Sequence, residues 1–198
     1  NCSHEFSQSI AVFPDITAEF TLDKSIGCSP LDVSFSNQTI NGNSYVWDFG
    51  DDEVSSNTSV IHTYINNTST VLTREVKLIA TSSYGCTDTS PVQTINISPK
   101  INAAFEITQV SGCSPLSITF TNTTSNATEY IWDFDDGSTV STSTNEYHTF
   151  ENETNYNTTH NVVLTANNSY NCPDTSIQSI IIYPEVTVSI SPDTAGCS

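Results

Sequence analysis

The sequence has no methionine, only seven glycines, and four Lys or Arg residues against 22 Asp and Glu. With a formal net charge of −18 it lacks the basic clusters that neutralise phosphates, so nucleic acid and anionic membranes are excluded as partners. No uninterrupted apolar run is long enough for a membrane-spanning helix in this segment. No Cys-x-x-Cys pair occurs, which argues against zinc-ribbon and thioredoxin-like chemistry. Gly-x-Ser-x-Gly, His-Glu-x-x-His and glycine-rich phosphate loops are also missing. Catalysis is therefore not expected from these residues, and no cofactor is required by them.

What the sequence has instead is a repeat. Gly27-Cys28-Ser29-Pro30-Leu31 returns as Gly112-Cys113-Ser114-Pro115-Leu116, at an offset of 85 residues. Tyr45-Val46-Trp47-Asp48-Phe49 returns as Tyr130-Ile131-Trp132-Asp133-Phe134. His62-Thr63-Tyr64 returns as His148-Thr149-Phe150, and Tyr84-Gly85-Cys86 as Tyr170-Asn171-Cys172. Residues 1–14 align with 171–184, and Gly196-Cys197-Ser198 repeats Gly27-Cys28-Ser29. The expected organisation is the final strand of a preceding repeat (1–14), two complete domains (15–99 and 100–184), and the first strand and turn of a following repeat (185–198). A period of this length suits a small domain with its own core.

Ser, Thr and Asn dominate, with Val, Ile, Tyr and Phe in short alternating runs. Ala18, Phe20 and Leu22 share one face of a first strand, followed by a turn at Gly27-Cys28-Ser29-Pro30. Val33 with Phe35, then Tyr45, Trp47 and Phe49, then Val76, Leu78 and Ala80 mark inward faces of later strands. About seven short strands per unit, with frequent turn signals, predict an all-β chain of tandem immunoglobulin-like antiparallel β-sandwiches. Ser98-Pro99-Lys100 and Tyr183-Pro184-Glu185 mark the boundaries and leave almost no linker.

The motif Tyr45-Val46-Trp47-Asp48-Phe49-Gly50-Asp51 with His62-Thr63-Tyr64 resembles the signature of PKD (polycystic kidney disease) domains. Tyr130 to Gly137 with His148-Thr149-Phe150 is a second copy. Departures are small: Asp52 and Asp135 stand where the family usually has Gly, and Phe150 replaces the usual Tyr. The Gly-Cys-Ser-Pro-Leu and Gly-Cys/Asn-Cys elements are similar to those in PKD arrays of large surface proteins of Bacteroidetes-type bacteria. The resemblance implies a β-sandwich fold and an extracellular interaction role; it does not imply catalysis.

Several residues recur at equivalent positions. Trp47, Phe49, His62 and Tyr64, with Trp132, Phe134, His148 and Phe150, form the core signature. Repetition at a strand position suits packing better than an aromatic binding platform. Asp51, Asp52, Asp135 and Asp136 lie in acidic turns. Ca²⁺ is the cofactor such turns admit, although the EF-hand spacing is not met; turn chemistry is the alternative. His62 and His148 read as structural hydrogen-bonding residues, while His4 and His160 have no repeat counterpart. Eleven Asn-x-Ser/Thr triplets occur, Asn66 and Asn152 among them, in a chain rich in those residues. Asp193-Thr194-Ala195 resembles a bacterial O-glycosylation triplet.

Cys2, Cys28, Cys86, Cys113, Cys172 and Cys197 occupy repeat-related positions and predict disulfides, hence an oxidising, extracellular or cell-surface location. Two pairings are open. One is within a domain, Cys28–Cys86 and Cys113–Cys172. The other links Cys28 to Cys172 across the junction, with Cys86 and Cys113 bonded to neighbouring repeats. Cys2 and Cys197 belong to repeats outside this segment. Together these features predict a non-enzymatic structural segment of a long extracellular fibre or adhesin. Its partners are neighbouring repeats and identical chains in a filament. The alternative is a substrate-binding accessory module of a secreted polysaccharide or protein hydrolase.

Overall fold

The structure, a computed structural model, describes residues 4, 6–186 and 188. It divides into two compact units, Asn1–Lys100 and Ile101–Ser198. The first contains β1 (Phe20–Leu22), β2 (Ile26–Cys28), β3 (Leu31–Asn37), β4 (Ser44–Asp48), β5 (Val54–Ser55), β6 (Val60–Tyr64), β7 (Leu72–Thr81), β8 (Thr87–Thr89) and β9 (Gln93–Ser98). One sheet runs β1-β3-β6; the other runs β2-β9-β7-β4-β5, with β8 also on β7. The second unit contains β10 (Phe105–Ile107), β11 (Ser111–Cys113), β12 (Leu116–Asn122), β13 (Glu129–Asp133), β14 (Glu146–Phe150), β15 (Thr158–Asn167) and β16 (Asp174–Tyr183). Its sheets run β10-β12-β14 and β11-β16-β15-β13.

Alternation places the cores where the pattern predicts them. Leu31, Val33 and Phe35 of β3 face inward, as do Val76, Leu78 and Ala80 of β7. Trp47, Phe49 and Tyr64 fill the space between the sheets of the first unit, and Trp132, Phe134 and Phe150 that of the second.

Three local features depart from the expected course. Gly27 and Cys28 are strand residues rather than turn residues. The chain leaves β1, crosses to the other sheet and keeps its direction, so β2 pairs parallel with β9, Cys28 opposite Ser98. The same switch sets β11 parallel to β16, Cys113 opposite Tyr183. The turn proper is Ser29–Pro30 or Ser114–Pro115, both cis. A Cβ on Gly27 would crowd Leu31 Cδ1, the end of a side chain that would have to turn aside.

The third departure is a bulge. In the second unit β15 and β16 pair in one unbroken register from Thr158↔Ile182 to Ala166↔Asp174. In the first unit β7 pairs with β8 as Ile79↔Thr89 but with β9 as Val76↔Gln93, one residue out of step. Pro91 lies in the gap. It has no N–H to give the ladder, so the strand breaks there and takes up one extra residue.

Candidate functional site

β4 turns Trp47 inward and delivers Phe49 just beyond its end. The Trp47 and Phe49 rings are parallel, 2° apart, and Phe49 stacks on His62 at 4.1 Å. Tyr64 meets the imidazole edge-on at 4.6 Å. Both tryptophans are fully buried, with Nε1 donating to the Asn57 carbonyl at 2.8 Å or the Ser143 carbonyl at 3.0 Å. In the second unit Phe134 stacks on His148 at 4.0 Å, with Phe150 edge-on. These rings are core and present no binding face. Tyr64 donates its hydroxyl to the Phe49 carbonyl at 3.2 Å, and burial pushes its phenol pKa up. Phe150 lacks that bond.

Each stacked histidine is held by the acidic turn. His62 Nε2 is 2.7 Å from Asp51 Oδ2, and His148 Nε2 is 2.6 Å from Asp136 Oδ2. The other carboxylate oxygens accept turn amides, Glu53 N–H at 3.3 Å and Ser138 N–H at 3.0 Å. Burial opposes ionisation of Asp136, yet hydrogen bonds from Ser138 and His148 outweigh it and hold the carboxyl below its ordinary value. In the first unit, three residues before Asp51, the Gly50 amide and the Lys77 ammonium hold the Asp48 carboxyl below its ordinary value. The Ser141 hydroxyl does the same for Glu146.

The two turns share a backbone but exchange residues. Gly50 and Asp52 have φ of 75° and 71°; their counterparts Asp135 and Gly137 have 58° and 80°. A Gly is thus retained at one of the two left-handed positions in each repeat, and an Asp, which tolerates that region, takes the other. Arg74 Nη1 donates to the Gly50 carbonyl at 3.1 Å, and His160 Nδ1 lies 2.8 Å from the Asp135 carbonyl. His160 therefore does have a counterpart: it occupies the place of Arg74.

The four calcium candidates are engaged differently. Asp51 and Asp136 turn onto histidines, Asp135 Oδ2 accepts the Asn161 N–H at 2.9 Å, and Asp52 is exposed. Among the described residues, no group of three or more His, Cys, Asp or Glu side chains converges as metal ligands. The carboxylates are committed to folding the turn. A surface hollow of about 410 Å³ in the second unit is lined by Thr128, Glu129, Tyr130, Ile131, Thr142, Thr144, Thr165 and Asn167. It offers one carboxylate and no nucleophile–base pair.

The cysteines lie at opposite ends of each unit. Cys28 sits opposite Ser98, next to the pair Leu72↔Ile97 at the start of β7. Cys86 follows the hairpin at the far end of β7, beyond Thr81↔Thr87. A strand of ten residues spans about 30 Å, whereas a disulfide needs Cα atoms within about 7 Å. Cys113 and Cys172 are separated in the same way by β15. That separation disfavours the within-domain pairing. Cys28 and Cys172 are disulfide-bonded, and Cys86 and Cys113 are exposed free thiols. Cys2, Cys197 and Asp193-Thr194-Ala195 lie outside the described residues.

A recurring polar lock escaped the sequence reading. Asn66 is 1% exposed; its Nδ2 donates to the Thr70 and Ile97 carbonyls at 2.8 and 2.7 Å. Its Oδ1 accepts the Thr68 amide and hydroxyl, and its own N–H donates to Ser29 Oγ. Asn152 repeats each bond with Tyr156, Ile182, Thr154 and Ser114. These Asn-x-Thr triplets are turn locks, since a glycan on Nδ2 would have to break buried hydrogen bonds. Asp88 and Asp174 likewise accept the Ala18 and Ala103 amides, and Gln93 and Gln178 donate to the Phe20 and Phe105 carbonyls. The recurrence of all these residues at the repeat offset was the available signal.

A family model for the PKD domain matches residues 13–98 and 96–182. No curated protein matches the chain. Among solved structures, the chain is similar to the PKD1 domain of Vibrio anguillarum Epp, with 27% identity, a TM-score of 0.35, and coverage of 43% of this chain and 96% of that one. It is similar to the PKD1 domain of the Vibrio cholerae metalloprotease PrtV at 30% identity and TM-score 0.33, covering 40% of this chain and 93% of that one. Fibronectin(III)-like modules of Clostridium thermocellum CbhA share 16% identity, with a TM-score of 0.38 and coverage of 86% and 94%.

Proposed function

The chain belongs to the PKD domain family, whose members are in general non-catalytic modules of extracellular proteins, and on that premise we propose that it is a structural segment of a long cell-surface fibre or adhesin. The units at 15–99 and 100–184 act as rigid spacers. Their partners are neighbouring repeats, and identical chains where fibres associate.

The observation that carries this reading is the placement of the cysteines. Each unit holds one at either end of its long sheet, too far apart to join, so a disulfide from either would go to a partner outside its own unit. Cys28 and Cys172 lie in different units and each is disulfide-bonded, while their equivalents are free. We assign the bond Cys28–Cys172. Every junction then carries a peptide link and a disulfide, which resists bending and extension. The acidic surface keeps such an array soluble.

Limited trypsin digestion tests the assignment. The chain has only four Lys or Arg residues, and Lys100 lies at the boundary between units. Chain cut after Lys100 should run intact without reductant and separate into two halves with it. Halves that separate without reductant would refute the junction bond. Saturable binding of the segment to a polysaccharide or to collagen in a pull-down would favour the accessory-module reading instead.

A further inference from the structure

The hollow of about 410 Å³ in the second unit is built on the outer face of its long sheet. Trp132 and Leu164 point into the core, so their neighbours Ile131 and Thr165, opposite each other across β13 and β15, point out. Glu129 and Asn167 form the next outward pair. One wall is a loop clamped by Trp132. The Trp132 and Ser141 backbones exchange N–H···O bonds of 2.8 and 3.1 Å, and the indole N–H reaches the Ser143 carbonyl. The clamp sets Thr142 and Thr144 in the lining. Asn167 is fixed as well, its Oδ1 accepting the Asn168 N–H and its Nδ2 donating to Asn171 Oδ1. The hollow is therefore held in shape before anything enters it.

Its hydrogen-bonding groups are uncommitted. Elsewhere on the exposed sheets hydroxyls pair across strands, as in Thr63 with Asp32 and Ser117 with Thr149. Thr165 instead faces Ile131. Among the described residues, the hydroxyls of Thr128, Thr142, Thr144 and Thr165 and the Glu129 carboxylate have no hydrogen-bond partner in the protein. The first unit repeats the frame with a different floor. Trp47 holds Ser55 and the Asn57 carbonyl in the same way, but the outward pairs there are Val46–Ile79 and Ser44–Thr81. The carboxylate, the amide and the central hydroxyl thus belong to the floor of the second unit and not to that of the first.

We propose that this hollow binds a neutral saccharide unit. Hydroxyl side chains both donate and accept, and a carboxylate accepts on both oxygens, which matches the mixed donors and acceptors of neighbouring sugar hydroxyls. Ile131, 47% exposed, gives the C–H face of a pyranose an apolar seat among them. No Lys, Arg or His is in the lining, so a phosphate, sulfate or uronic acid would meet Glu129 with no counter-charge. The volume falls within the small-ligand range of about 300–1,000 Å³. An open site of this kind holds a single sugar with a Kd of about 1 mM. One such hollow is washed off in the polysaccharide pull-down above. Repeated along a fibre, the same sites act together through avidity. The avidity rests on the fibre reading; the site does not.

The experiment titrates the full, isotope-labelled chain by amide NMR with the methyl glycosides of glucose, galactose, mannose and N-acetylglucosamine, and with glucuronic acid. At least one neutral glycoside should give saturable shifts at residues 128–131, Thr142, Thr144 and Thr165, and none at Ser44, Val46, Ile79 and Thr81. Thr165→Ile and Glu129→Ser install the residues that the first unit carries at these outward positions. Each should weaken binding at least about tenfold while the melting temperature of the second unit is kept. Glucuronic acid should bind at least about tenfold more weakly than the best neutral glycoside. No saturable shift with any glycoside, equal shifts in the two units, or binding unchanged in both variants would overturn the proposal, as would tighter binding of glucuronic acid. The trypsin digest reports on the junction alone. A chain that ignores sugars but stays joined without reductant loses only the saccharide site; one that binds them but separates loses only the junction reading.

Discussion

Replacing Asn66 with Ala should destabilise the first unit by about 3 kcal/mol. The side chain is 1% exposed and makes two donor and two acceptor hydrogen bonds. Its bond to the Ile97 carbonyl is buried, so no water replaces it, and an unpaired buried acceptor costs about 1–3 kcal/mol. The bonds to Thr68 and Thr70 lie nearer solvent, and each contributes about 0.5–1 kcal/mol after water takes the vacated place. For a domain of this size about 3 kcal/mol lowers the melting temperature by roughly 12–24 °C. Each unit carries one of the chain's two tryptophans, so Trp47 fluorescence in a Trp132→Phe background reports the first unit alone. Asn66→Asp sharpens the test. It aims an acceptor at two carbonyls, and its buried carboxylate has a raised pKa. A raised folded-state pKa means stability is gained as pH falls, so this variant should recover in acid. A loss below about 1 kcal/mol for Asn66→Ala, within the range of ordinary surface substitutions, would refute the lock.

Asp48, Asp136 and Glu146 have depressed carboxyl pKa values, so their contribution is present above the unfolded values of 3.8 for Asp and 4.5 for Glu. It is lost as pH falls through the folded values. Acid titration of urea midpoints should show both units weakening, and Asp136→Asn should flatten that dependence in the second unit. Tyr64→Phe should cost the first unit about 1 kcal/mol by leaving the Phe49 carbonyl unpaired, read by the same fluorescence melt. Gly50→Ala should cost well over 2 kcal/mol, because its Cβ would fall 2.5 Å from the Glu75 carbonyl oxygen at a positive φ. Gly137→Ala shares the positive φ but meets open space and should cost only about 1 kcal/mol. Equal losses at the two glycines, measured by chemical denaturation, would show that backbone conformation alone governs the turn.

The core was largely legible from the sequence. Alternation with period two is a local property, and it correctly turned Trp47, Phe49, Val76 and Leu78 inward. Repetition made each assignment twice. The hydrogen-bonded parts of the site were harder to read. His62 was recognised as structural, but its partner was not identified. The sequence marks Asp51 as a calcium candidate, and the contact of its carboxylate with His62 Nε2 at 2.7 Å depends on a strand eleven residues away. Asn66 was masked by composition, since Asn-x-Thr is common in this chain and its burial depends on contact with Ile97 in another strand.

The sequence by itself determined the repeat, the strand composition and the spacing of apolar side chains, because these follow from covalent order and the two-residue pleat. Only the tertiary structure decided which sheet each strand joins, that β2 and β11 run parallel to the final strands, and that Pro91 adds a bulge. It also decided the fate of the cysteines. Whether two thiols can meet depends on distance through space. The register of β7 and β15 sets the cysteines of each unit a full strand length apart.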